Sequence, residues 1–272
     1  MARPIAPAAG AVMRLLPALL LLFALAGARA ETPQRLLGLT AEGGDLRVEL
    51  ADGGVLRSAE LVGAVLRFDG LELRLVDVRR DEAVPGGAPG LRAEDVWLFR
   101  LLARAPGGDW AEFCAPDPDN ERLALVLPTG PDGFAFTCSA GGNGKCIRLG
   151  YRPWASLPDG RLLAPFHAAC VHLLRAAYGG DERGFTRDGT PVDIYDRAGI
   201  QSPANDPAHA FEAGWSEEGA VCLAHPRIPE NGSLSDILRH APRLIGRAGS
   251  EACDETRAAA FGAVVFNRSL RP

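Results

Sequence analysis

The chain has 272 residues, with 29 basic and 34 acidic side chains and a net charge of −5. At 47% apolar it can bury a core in one large domain or two small ones, and a mildly acidic chain with no basic block makes a poor partner for nucleic acid. It has no Walker loop, dinucleotide fingerprint or Gly-x-Ser-x-Gly elbow, so no cofactor is expected.

From the N-terminus, Arg3 and Arg14 give a positive start with no acid before Glu31. Leu15 to Ala26 is wholly apolar, and Ala28-Arg-Ala30 has the small-x-small form of a signal-peptidase site. Residues 1–30 therefore read as a signal peptide, because the apolar run falls short of the ~20 residues a membrane span needs. Cleavage leaves 26 basic against 34 acidic residues, a net charge of −8. No later stretch is apolar enough to span a membrane, so the expected location is secreted or periplasmic.

Residues 31–92 read as an N-terminal β-rich lobe. Leu46-Arg-Val-Glu-Leu50 alternates apolar and charged side chains, and Asp52-Gly-Gly54 turns the chain. Val55–Arg57, Ala64–Phe68 and Leu71–Val78 continue the period of two. Pro85–Gly90 is a loop by composition. Residues 93–272 read as a second domain. It opens with strands Val96–Leu102, Leu123–Leu127 and Phe134–Cys138, and the short strands from Leu36 to Phe136 together favour an antiparallel sandwich or open barrel over a doubly wound fold. A helix follows over Leu163–Tyr178, closed by Gly179-Gly180. Ser233 and Asp236 predict the start of another, running to His240. A third is expected over Glu251–Phe261, with a closing strand at Ala263–Phe266.

Six cysteines, Cys114, Cys138, Cys146, Cys170, Cys222 and Cys253, all lie after residue 30. An even number in an exported chain reads as three disulfides, and no pair has the close spacing of a zinc knuckle or redox motif. Of the 15 pairings that six cysteines allow, the sequential one is expected: Cys114–Cys138, Cys146–Cys170 and Cys222–Cys253. Each loop would stabilise by ~3 kcal/mol. The rival reading is a reactive thiol at Cys170, one helical turn from His167.

The densest polar run, 180–197, holds Asp181, Glu182, Asp188, Asp193 and Asp196. Two carboxylates with separated pKa values can do acid/base work on a glycan, with His167 as base. The other reading is a polar loop whose carboxylates clasp backbone amides. His167, Asp188, Asp193 and Asp196 are the candidate catalytic residues, with Glu212 a further carboxylate. Asp117-Pro-Asp-Asn-Glu121 lacks the later ligands of a calcium loop and reads as a turn. The other histidines have no ligand spacing, so no metal site is expected.

The strings Cys146-Ile-Arg-Leu-Gly-Tyr-Arg-Pro-Trp154, His167-Ala-Ala-Cys170, Arg175-Ala-Ala-Tyr-Gly-Gly-Asp181, Thr186-Arg-Asp-Gly-Thr190, Asp193-Ile-Tyr-Asp-Arg197, Gly199-Ile-Gln201 and Phe211-Glu-Ala-Gly-Trp215 follow in order. Together they resemble the ADYC domain, a bacterial exported domain of unknown function, over roughly Ala93 to Ser269. The resemblance makes 93–272 an ADYC-like domain. The family's Ala-Asp-Tyr-Cys string stands here as Ala176-Ala177-Tyr178-Gly179, without its acid and its thiol. That implies one bridge fewer in this member, the lost partner lying near His240-Ala-Pro242.

The expected fold is α+β: an antiparallel, β-rich N-terminal half and a mixed helix/strand C-terminal half, stapled by disulfides. The expected function is an envelope or extracellular binding module, with an envelope protein or a glycan as partner. The alternative is a hydrolase of a cell-wall or extracellular glycan or peptide, using His167 and the 181–196 carboxylates.

Overall fold

The structure is a computed structural model that describes residues 36–68, 70–82, 96–130 and 133–271. The expected signal peptide (1–30) and the Pro85–Gly90 loop lie outside those residues. The chain divides into two compact units; described residues up to Lys145 form the first, and those from Cys146 onward the second.

The first unit follows its period-two pattern. Strands β1 (Leu36–Glu42), β2 (Asp45–Leu50) and β3 (Val55–Arg57) form an antiparallel three-stranded sheet. A second sheet contains β4 (Val65–Phe68), β5 (Leu71–Arg80), β6 (Trp97–Arg104), β7 (Ala111–Glu112), β8 (Leu123–Pro128) and β9 (Phe134–Cys138). Its order is β4-β5-β6-β8-β9, with β7 also on β6. Alternation sends Leu46, Val48 and Leu50 from the first sheet, and Leu66, Leu73, Leu75, Phe99 and Leu101 from the second, into one shared core. This is the expected sandwich arrangement, and each such fully buried side chain contributes about 1.5–3 kcal/mol.

Glu72 through Arg80 pair with Trp97 through Arg104. One hydrogen-bonded ladder thus joins residues on both sides of the boundary expected at 92 and 93. The compact units divide at Cys146.

The second unit is mixed. It holds helices α1 (Gly142–Arg148, from Cys146 on), α2 (Ala164–Arg175), α3 (Leu234–His240) and α4 (Glu255–Ala260). Its antiparallel sheet has β10 (Asp193–Asp196), β11 (His209–Ser216), β12 (Gly219–Leu223) and β13 (Val265–Leu270), in the order β10-β13-β11-β12. Phe166 and Leu173 of α2 pack with Trp215 and Val265 in one core. Ala258 of α4 packs with Cys222 and Phe266 in another. Gly214 lets α4 approach β11: a Cβ there would lie 2.5 Å from that of Ala258, closer than real contacts allow.

Local sequence explains most helix ends. Ser233 and Asp236 cap α3 reciprocally, as predicted, with Ser233 N–H to Asp236 Oδ2 at 3.0 Å and Asp236 N–H to Ser233 Oγ at 3.2 Å. α4 is shorter than the expected 251–261 because Asp254 caps it, accepting from Arg257 N–H at 2.8 Å. α2 stops at Arg175, before Gly179. Ala176 adopts φ +48°, and the Ala176 and Ala177 amides close on the Leu173 and His172 carbonyls. That early stop turns Tyr178 into the core.

The disulfides are the sequential three, Cys114–Cys138, Cys146–Cys170 and Cys222–Cys253. The fold is α+β with three antiparallel sheets, β-rich first and mixed afterwards.

Candidate functional site

The expected candidates occupy separate places in the second unit. His167 is buried within α2. Cys170, one turn on, is bonded to Cys146, so it carries no thiol. Asp188 sits exposed in the turn before β10. Asp193 and Asp196 begin and end β10, and residues three apart on a strand project from opposite faces.

The carboxylate oxygens of Asp196 bind the protein itself. Oδ1 accepts from the amides of Ala198 at 2.6 Å and Ile200 at 3.2 Å. Oδ2 accepts from Gln201 N–H and from the Tyr151 hydroxyl, both at 2.8 Å. Gln201 then donates to the Leu149 carbonyl at 2.7 Å, tying the loop back to α1's exit. Asp193 Oδ1 accepts from Ala204 N–H at 2.9 Å. These bonds are the Asx-type clasp that short polar side chains make with nearby backbone. Asp117 does the same in the first unit, accepting from Asp119 and Glu121 amides at 3.0 and 2.9 Å, as its turn reading expected.

The most concentrated polar arrangement lies elsewhere, around Glu212. A register shift between Phe211 and Ala213 makes Glu212 the extra residue of a β-bulge, a device that re-aims a side chain. Its carboxylate and the Arg227 guanidinium are both fully buried. Arg227 Nε and Nη2 reach Glu212 Oε2 and Oε1 at 3.0 and 3.1 Å, a bidentate pair. The Tyr178 hydroxyl donates to Glu212 Oε1 at 3.1 Å and accepts from Arg227 N–H at 2.9 Å. Asn267 Nδ2 donates to Glu212 Oε2 at 2.7 Å, while its Oδ1 accepts from Trp215 Nε1 at 2.8 Å. Arg227 spends its remaining N–H groups on the Leu173 and Leu174 carbonyls, at 2.8 and 3.2 Å, and on Thr186 Oγ1 at 3.4 Å. A cation is thereby placed at the negative C-terminal end of α2. Tyr178 also stacks on Trp215, ring centroids 5.4 Å apart.

Electrostatics follow from burial. Desolvation, reinforced by the Glu212 charge, holds the Tyr178 hydroxyl protonated far above the usual tyrosine range. Desolvation and the neighbouring Asp196 do the same to Tyr151. Among the described residues no group of three or more His, Cys, Asp or Glu is arranged to hold a metal ion.

The Ala176–Gly179 string leads into a turn closed by α3. His240 Nε2 lies 2.7 Å from Asp181 Oδ2, and its ring meets the edge of Phe185. Burial opposes ionisation of Asp181, but the His240 and Arg183 N–H bonds outweigh it and hold the carboxyl below its ordinary range. A Cβ on Gly179 would stand 3.1 Å from His240 Nε2. The position of the family's thiol therefore points at the segment where its lost partner was expected. Arg243 completes the clasp, donating to the carbonyls of Tyr178, at 2.9 Å, and of Glu218 and Ala220.

Sequence reasoning missed Arg227 and Asn267. Arg227 stands between Pro226 and Pro229, where no periodicity shows which way it points. Asn267 did carry a signal, a lone amide directly after the apolar run Ala263–Phe266. The aromatic residues Tyr151, Tyr178 and Trp215 are core side chains, fully buried.

The family model of the ADYC domain matches residues 58–229, more than half of the chain. It begins within the first unit and ends just past Arg227. No curated protein and no solved structure matches the chain.

Proposed function

This chain belongs to the ADYC domain family, and from that premise we propose that it is an exported, disulfide-stabilised binding module of the envelope or the extracellular space. The observation that carries the reading is Glu212: a carboxylate from the family-like block, wholly buried, with all its hydrogen bonds made to Tyr178, Arg227 and Asn267. Asp196 is saturated by backbone amides in the same way. A group meant for acid or base work needs a face open to substrate; these groups hold loops to a core. Three disulfides with no free cysteine suit an oxidising compartment. Among the described residues no helix is long and apolar enough to cross a membrane.

The test uses His167→Ala, Asp193→Asn, Asp196→Asn and Glu212→Gln in the exported chain. Each is assayed for melting temperature and for release of sugars or peptides from cell-wall sacculi. The binding reading expects no release by the parent and lowered melting temperatures in the variants. Release by the parent, lost in variants that melt at the parent's temperature, would establish the hydrolase instead.

A further inference from the structure

In the first unit, strand alternation sorts the residues of β4, β5 and β6. Leu66, Leu73, Leu75 and Leu101 enter the core, so Arg67, Glu72, Arg74, Leu102 and Arg104 lie on the other face. Register places Arg67, Glu72 and Arg104 in one row across three strands. Glu72 accepts from Arg67 Nε at 2.8 Å and from Arg104 Nε at 2.5 Å. Trp110, just before β7, lies under two guanidiniums: Arg74 Cζ is 4.3 Å and Arg104 Cζ 4.4 Å from its ring centroid. The next acid along, Glu112, is committed to Arg100.

Two arginines thus share one carboxylate, and a third, Arg74, has no ion-pair partner among the described residues. Arg67 and Arg104 side chains remain 40% and 34% exposed, so water and a ligand can reach the row. Counted with Arg100, Asp77 and Glu112 on the same face, the described residues leave one arginine in excess, and Arg74 is the one without an acid.

We propose that this face binds the carboxylates of an acidic peptide segment on a partner protein, with Arg74 as the principal contact. The proposal rests on the binding reading above and names its partner. Stacking on an indole fixes the plane of a guanidinium and leaves its N–H edge pointing outward, the geometry that takes a carboxylate through two parallel bonds. Because the ring is already fixed, little side-chain freedom is lost on binding. A peptide suits the face better than a sugar. A sugar would need an open aromatic face, and that of Trp110 is engaged by two guanidiniums. Exposed Val76 and half-buried Leu102, beside Arg74, offer contact to an apolar side chain of the peptide.

The experiment is fluorescence anisotropy of the full exported chain with a labelled hexaglutamate peptide, against hexaglutamine and a polygalacturonate oligomer. Hexaglutamate should bind, weaken as salt rises, and lose about tenfold in affinity with Arg74→Gln. Arg239→Gln, an exposed arginine of α3, should change it by less than about twofold. Melting temperatures of both variants should match the parent. Equal binding by folded Arg74→Gln, or no binding of hexaglutamate, overturns the proposal. Tighter binding of polygalacturonate through Arg74 also overturns it, but leaves the binding reading standing with a glycan as partner. The sacculus assay above, which does not involve Arg74, is what separates failure of the broader reading from failure of this one.

Discussion

The two units handle charge in opposite ways. In the first, alternating strands keep the Arg–Glu pairs of the described residues at the surface, as with Arg47 against Glu42 and Glu49 and Arg67 against Glu72. Its core, gathered from two sheets, is built of apolar side chains and holds no buried ion pair among the described residues. In the second, an ion pair, an amide and a phenol sit together inside the core, and two of the three disulfides staple the loops around them. The first unit is held by area removed from water. The second relies on groups that stabilise only while every partner is in place. Such networks add less net stability than apolar packing, and they penalise every alternative arrangement.

The largest predicted effect breaks that network. Glu212→Ala or Arg227→Ala should cost the second unit about 3–5 kcal/mol, because the survivor is left charged and buried. Replacing both with Leu and Met should cost far less than the two single changes added together. Urea denaturation of the three variants measures this coupling. Additive effects would show that the pair is not a unit.

Next come the disulfides. Replacing both cysteines of Cys146–Cys170 or of Cys222–Cys253 with alanine should each remove roughly 3 kcal/mol. The unit also has room for one bridge more. Gly179→Cys with His240→Cys should oxidise spontaneously, since a Cβ at 179 already points into the His240 side chain. Thiol titration of the unfolded double variant would show no free cysteine. Two reactive thiols would mean that α3 is held too far from the turn for a disulfide.

A pH experiment separates the units without mutation. All three tyrosines of the chain, Tyr151, Tyr178 and Tyr195, belong to the second unit. Burial, then a neighbouring carboxylate, raises the folded pKa of each above the ordinary 10.0. A raised folded pKa gives a contribution that is whole below the unfolded value and is lost as pH rises past it. The second unit should therefore weaken above about pH 10, while the first has no tyrosine to titrate. Phenolate absorbance should appear only together with unfolding. Three phenols ionising near their ordinary value in a protein that keeps its fold would contradict the buried placement.

The same contrast governs what could be read in the sequence. Leu46–Leu50 and Leu71–Val78 alternate because one face meets a core and the other meets water, so the sandwich was legible. Ser233 and Asp236 marked a helix start because capping is local. β12 is buried along its whole length and shows no alternation, so neither it nor β11 was anticipated. Asp196 and Glu212 looked like candidate acids because a carboxylate has the same letter whether it faces a substrate or a backbone amide. The bulge that turns Glu212 inward depends on how β11 pairs with β13, a contact 55 residues away in sequence. That the strands flanking Pro85 pair with each other was hidden for a related reason. The loop composition around Pro85 reads as a linker, yet the strands on either side of it pair.

The smallest effect completes the comparison. Glu49→Gln removes a carboxylate that Arg47 contacts on β2, with Glu49 47% and Arg47 28% exposed. Water solvates both partners before and after the change, and Arg47 keeps Glu42 at 3.3 Å. The expected cost is at most about 1 kcal/mol, falling further as salt is added. Set against Glu212→Ala, loss of a carboxylate should then differ several-fold in consequence, because Glu212 is desolvated and bonded to three side chains while Glu49 keeps water. If Glu49→Gln instead costs as much as Glu212→Ala, then the surface ladder of the first unit is a stabilising network in its own right, and the division between an apolar-held unit and a polar-held one fails.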